Sequence, residues 1–246
     1  MHCMIARRMA LSCLLFLPAA ASATTWLETT IIDPVSGKQC VVSTPGSYGS
    51  YIYQWPEKFD QVFWPLTDRY GIWICRTSGF VTFIGDIELD DEEKTSIGRF
   101  LKGAAPLPEE AMTEVVLARL EAIYALRKVD PDAKARILRA LAYHYESNGA
   151  PIRAGELRDQ AAEIMEARLA DQTLAPSLRL QYSFVTANYV RERGQVAQAD
   201  QKLEQMSPLL VEAAADEKLK GYAEYLQALL ATARKIAPGG RLAPEE

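Results

Sequence analysis

His144, flanked by Tyr143 and Tyr145, is the one imidazole in the chain apart from His2 at the N-terminus. A lone histidine can serve as a general base, but it cannot anchor a multi-histidine metal centre. Cys75 is the nucleophile that would suit it as a thiol–base pair. No G-x-S-x-G elbow presents a serine, and the chain has neither a phosphate loop nor a dinucleotide fingerprint. Asp90-Asp91-Glu92-Glu93 has the composition of a calcium ligand run, but not the loop glycine or the spacing of one. It reads better as the acidic first turn of a helix, where carboxylates meet free N–H groups and the positive dipole end. Carboxylates are plentiful elsewhere, yet nothing marks a glycosidase-type pair. His144 is read as a surface or groove histidine, and the chain as non-enzymatic.

The balance of charge narrows the partners. Lys+Arg number 27 against 32 Asp+Glu, a net charge of −5, which lacks the basic footprint of a nucleic-acid binder. With 49% hydrophobic and 24% charged residues, the chain is a folded protein rather than a disordered one.

The first 23 residues read as a targeting segment. Arg7 and Arg8 form a basic region, Met9 to Leu17 an apolar one, and Ala21-Ser22-Ala23 a cleavage site. Sec-type export with cleavage after Ala23 places the mature chain in the periplasm or outside the cell. Its mature part contains no stretch long enough to span a bilayer. Cleavage also removes Cys3 and Cys13, leaving Cys40 and Cys75. Two cysteines in an exported chain are most simply a disulfide. Two buried thiols and an intermolecular bridge are the alternatives.

The remainder has two unlike parts. Residues 24–89 hold all four tryptophans, with short strand-like segments at Lys38–Ser43, Tyr48–Trp55, Gly71–Arg76 and Phe80–Ile84 punctuated by Gly and Pro. This is a small β-rich module, whose aromatics are needed mainly for its own core. Residues 90–238 switch to helical spacing, and 239–246 form a flexible tail. Helices are expected through Leu101, over Glu109–Lys128, from Asp130-Pro131 to Asn148 with Gly149 as the stop, and from Pro151 to about Ala170. Others run from Pro176 to near Gly194, over Val196–Ala215 with Pro208 kinking or splitting it, and over Asp216–Ile236. The fold class is α+β: a β-rich module followed by helical hairpins.

Two of those hairpins resemble tetratricopeptide repeats. Leu138, Leu141, Ala142, Tyr145, Gly149 and Ala154 fall at signature positions of one. Ala187, Val190, Gly194, Ala199 and Leu203 match the other. The glycines stand 45 residues apart rather than the 34 of a regular array, and the aromatic expected near Arg158 is missing.

In the N-terminal part, Asp33-Pro34-Val35-Ser36-Gly37 has the outline of a C-P-x-C-G zinc knuckle without its cysteines. Cys75-Arg76-Thr77-Ser78-Gly79 repeats that outline after the strand Ile72-Trp73-Ile74 and before Phe80. In these features, and in the "LDDEEK" opening of its helices, the chain resembles a family of uncharacterised bacterial proteins that join a two-knuckle zinc ribbon to TPR-like helices. The resemblance covers roughly residues 30–200 and implies no activity. It implies ligand positions at Asp33, Ser36, Cys75 and Ser78, a set that cannot hold structural zinc, which needs four strong ligands. No cofactor is therefore expected. A ribbon's knuckles are neighbours, so the resemblance also lets Cys40 reach Cys75.

The repeat register places Arg136, Arg139 and Tyr143 from one hairpin, with Gln181, Phe184, Asn188 and Arg191 from the next, on a shared inner wall. Cations, an amide and aromatics there suit an extended peptide or its carboxylate terminus. The functional expectation is an envelope protein that binds an unknown protein or peptide. The alternative is an envelope hydrolase or glycan-binding protein using the aromatic module.

Overall fold

The structure is a computed structural model that describes residues 24–49, 53–108, 114–239 and 242. Residues 1–23, expected as a targeting segment, and most of the tail lie outside the described residues. The described chain begins with two antiparallel two-stranded sheets and continues as helices, an α+β arrangement.

Strand β1 (Thr24–Ile32), rich in Thr and Ile, pairs with β2 (Gln39–Tyr48), with Ile31 opposite Cys40 and an irregularity at Thr25/Trp26. The turn between them is closed by Asp33. Its carboxylate accepts from the amides of Val35 (2.9 Å) and Ser36 (3.3 Å) and from the Ser36 hydroxyl (2.6 Å). Gly37, at φ 69°, completes the reversal in the left-handed region that glycine adopts without strain. Strands β3 (Ile72–Cys75) and β4 (Phe80–Phe83) form the second hairpin. Its turn has the same plan: Gly79, at φ 79°, returns its amide to the Cys75 carbonyl at 2.8 Å. Cys40 and Cys75 are joined by a disulfide, with their Cα atoms 5.3 Å apart. This bridge, together with Trp73 Nε1 donating to the Ser43 carbonyl at 2.7 Å, ties β2 to β3.

Of the strand expected over Tyr48–Trp55, residues 50–52 lie outside the described residues, and the described ends do not belong to one strand. β2 ends at Tyr48, and helix α1 (Trp55–Asp60) opens at Trp55. Pro56, in the first helical turn, has a preset φ, and Glu57 caps back onto the Gln54 amide at 2.6 Å. These local signals outweigh the β preference of the flanking aromatics.

The acidic run is a helix start. Asp90 caps α2 (Asp91–Lys102) by accepting from the Glu93 amide at 2.7 Å, and Glu93 answers on the Asp90 amide at 2.9 Å. Helices α3 (Glu114–Ala125), α4 (Pro131–Ser147), α5 (Pro151–Leu169), α6 (Pro176–Glu192), α7 (Val196–Ala214) and α8 (Lys220–Ala233) follow. Prolines open α4, α5 and α6. Gly149 and Gly194 reverse the chain at positive φ, making α4/α5 and α6/α7 hairpins. Pro208 lies within α7 without splitting it. One hydrophobic core runs through both parts, from Phe59, Phe80 and Phe83 to Leu117, Leu141 and Phe184.

Candidate functional site

The inner wall formed by α4 and α6 is where the sequence concentrates chemistry, and it is filled. Its occupant is the chain's own segment 54–61, containing α1. Arg139 in α4 donates to the main-chain carbonyls of Asp60 (3.1 Å) and Gln61 (3.4 Å), and to Gln181 Oε1 (3.2 Å) in α6. Asn188 donates to the Phe59 carbonyl at 3.2 Å. The Phe59 ring stacks near Phe184, with centroids 6.1 Å apart. The Tyr143 hydroxyl lies 3.5 Å from Glu57 Oε1, and Tyr222 in α8 donates to Gln61 Oε1 at 3.0 Å. An open peptide groove is therefore not present: Arg139, Phe184 and Asn188 are buried beneath α1.

Of the predicted wall residues, Arg139, Tyr143, Phe184 and Asn188 converge on this segment, Gln181 joins them through Arg139, and two do not. Arg191 donates to the Ile236 carbonyl at 3.1 Å and pairs with Asp200 at 3.1 Å, so it ties the end of α6 to α7 and to the chain after α8. Arg136, one turn before Arg139, faces solvent at a different cleft.

The charge centre of the site is Asp60, fully buried at the end of α1. Arg158 of α5 reaches its Oδ2 at 3.2 Å, and the Tyr189 hydroxyl donates to its Oδ1. Arg158 also pairs with Glu146 (2.5 Å) and Glu192 (3.0 Å). Burial pushes the Asp60 carboxyl up to about 6, although Arg158 and Arg139 pull it down. Burial likewise carries Glu192 up to about 7 against the pull of Arg158. Burial disfavours the charge on Arg158, but the three carboxylates outweigh it and hold the guanidinium protonated. Arg158 and Asp60 escape a sequence reading, because a charged residue in an amphipathic helix looks solvated by default. Arg158 stands near the position where the expected repeat pattern asks for an aromatic, and its large side chain is buried.

His144 is buried, not on the surface or in a groove. One ring nitrogen, Nε2, lies 2.7 Å from the Leu66 carbonyl, and the ring lies against Phe83. Burial lowers its affinity for a proton. Cys75, its possible thiol partner, is consumed by the disulfide.

The knuckle positions divide. Asp33, Ser36 and Cys75 border, with Cys40, a cleft of about 320 Å³. Ser78 turns its hydroxyl to the Cys75 carbonyl (3.2 Å) and accepts from the Phe80 amide (3.1 Å). Asp33 and Ser36 are bonded to each other and to their own turn, which these side-chain hydrogen bonds close. Among the described residues no group of three or more His, Cys, Asp or Glu is placed to hold a metal ion. No described helix is long and apolar enough to cross a membrane. Of the aromatics, Phe59, Trp73, Phe80 and Phe83 are core, whereas Trp55 and Tyr70 are exposed.

No family model, no curated protein and no solved structure matches the chain.

Proposed function

We propose that the chain is exported, processed after Ala23, and acts in the periplasm or outside the cell as a non-catalytic interaction scaffold. In this reading a disulfide-stapled remnant of a zinc ribbon is fused to TPR-like hairpins. The observation that carries it is the inner wall itself. Arg139 and Asn188 capture main-chain carbonyls, while Phe184 and Arg158 receive an aromatic and a carboxylate, which is how a helical wall holds a peptide. Because its own segment takes that place, an envelope partner meets the outer surface. The β1–β2 hairpin offers Ile32 (57% exposed) and Val41 (60% exposed) on one outward face. Crosslinking in envelope extract with wild type and an Ile32→Lys/Val41→Lys variant tests this. Partners recovered by wild type should be lost from the variant, and identical recoveries would exclude the scaffold reading.

A second reading rests on Trp26, whose ring lies 5.7 Å from Trp64 and 5.4 Å from the partly exposed Tyr70. Rings so grouped can stack on sugar faces. Co-sedimentation with insoluble cell-wall glycan, lost in Trp26→Ala and Tyr70→Ala, would favour glycan binding over protein capture.

A further inference from the structure

The seam between the β-rich part and the helices holds a cleft of about 270 Å³ that neither reading above uses. Its apolar lining includes Leu66, Phe83 and Ile84 from one side and Ile137 of α4 from the other. Two charged groups stand at it, Arg136 and Asp86. Among the described residues no hydrogen bond or ion pair holds the Arg136 guanidinium, although nearly every other arginine near the core is tied down. Its neighbour one turn on, Arg139, carries the same sign of charge. Asp86 is fixed in place: its Oδ2 accepts from the Tyr124 hydroxyl at 2.6 Å, and its Oδ1 pairs with Arg127 at 2.6 Å. An ionised carboxylate has about four acceptor sites, so two remain. The Asp86 side chain is 36% exposed, which leaves them reachable.

The geometry points to a binding site for a single apolar residue bearing a free carboxylate and an N–H donor. Arg136 takes the carboxylate through its two-pronged donor set. Asp86 accepts from the nitrogen, and the leucine-sized side chain lies on Leu66, Phe83 and Ile137. A cleft below the ~300 Å³ of drug-sized pockets suits one residue rather than a longer ligand. Seams between structural units are where such pockets form, because two rigid surfaces supply opposite walls without either having to be concave. The shared chemistry has two sources, a free apolar amino acid and the C-terminal residue of a peptide. They differ only in whether an ammonium or an amide N–H meets Asp86.

Titration of the mature chain by NMR or calorimetry with L-leucine, N-acetyl-L-leucine and L-leucinamide tests the site. Leucine or N-acetyl-leucine should bind saturably, and the tighter of the two names the source. Leucinamide, which lacks the carboxylate, should bind at least about tenfold more weakly, as should leucine and N-acetyl-leucine to Arg136→Ala. Arg136→Lys should recover part of the affinity, since a single ammonium contacts a carboxylate at one point. Arg136 is exposed, so the melting temperature of both variants serves as the folding control. Equal binding by Arg136→Ala, equal binding of leucinamide, or no saturation by any probe overturns the site. None of these results depends on whether an envelope protein is captured at the β1–β2 hairpin.

Discussion

The guanidinium of Arg139 lies 3.1 Å from the main-chain carbonyl of Asp60, 79 residues earlier in the chain. Through this contact the helical wall grips the N-terminal part by its backbone, and Arg158 grips the same residue by its carboxylate. The two arginines come from different helices and approach one buried aspartate. The wall and the segment are therefore a matched pair, with consequences for stability.

Removing Arg158 strands Asp60, Glu146 and Glu192 without their common cation. Leaving a buried charge unpaired costs about 3–5 kcal/mol, so Arg158→Leu should lower the urea midpoint sharply. Asp60→Asn keeps the shape and most of the hydrogen bonds, and should cost roughly half as much. Equal midpoints for Arg158→Leu and wild type would mean that the network contributes nothing net.

The same cluster sets a pH dependence with an unusual sign. Asp60 rises from 3.8 to about 6 and Glu192 from 4.5 to about 7, so folding takes up protons at both. Stability from these groups is lost as pH rises through about 6 and 7, and is regained on acidification. His144 opposes this. Its folded affinity for a proton lies below 6.5, so it loses stability as pH falls below that value. Asp90, Asp132 and Asp171 are lowered from 3.8 and matter only at more acidic pH. Two carboxylates against one imidazole leave a net gain on the order of 1 kcal/mol between pH 7.5 and pH 5.5. Denaturation at the two pH values should show it. His144→Gln should enlarge the gain, and Asp60→Asn should reduce it.

The disulfide spans a sequence separation of 35. Closing such a loop restricts the unfolded chain by roughly 3–4 kcal/mol on the chain-entropy model. A Cys40→Ala/Cys75→Ala variant of residues 24–246 should melt markedly lower. Residues 24–246, which lack Cys3 and Cys13, should show no reactive thiol when denatured without reductant. Two reactive thiols under those conditions would contradict the bridge.

Two glycines should respond oppositely to alanine. A Cβ on Gly71 would stand 1.8 Å from the Pro65 carbonyl oxygen, so Gly71→Ala must shift backbone and should cost about 3 kcal/mol. A Cβ on Gly155, inside α5, meets nothing within 4 Å, and Gly155→Ala should stabilise by roughly 0.5–1 kcal/mol. Thermal melts of the pair measure both signs.

Local signals are legible in this chain wherever one residue type has one cheap use. Asp130-Pro131, Pro151 and Pro176 announce the starts of α4, α5 and α6, and Gly149 and Gly194 their reversals, because proline and glycine act on their own backbone. The acidic run at 90–93 is readable as a helix start for the same reason. Helix α1 is less legible, since its aromatics favour a strand and only Pro56 and Glu57 argue otherwise.

The amino-acid sequence alone therefore determines most of the helices, the α+β order and which faces of α4 and α6 are chemically rich, but neither β1 nor α1. Helical periodicity carries that information locally. Only the tertiary structure decides what those faces meet. Burial of Arg139 and Asn188, the pairing of Arg158 with Asp60 and the raised proton affinity of Glu192 all depend on a segment far away in the chain. A charged side chain looks the same in sequence whether water or a buried aspartate stands opposite it. Desolvation and partner geometry separate the two cases, and they exist only once the chain has closed on itself.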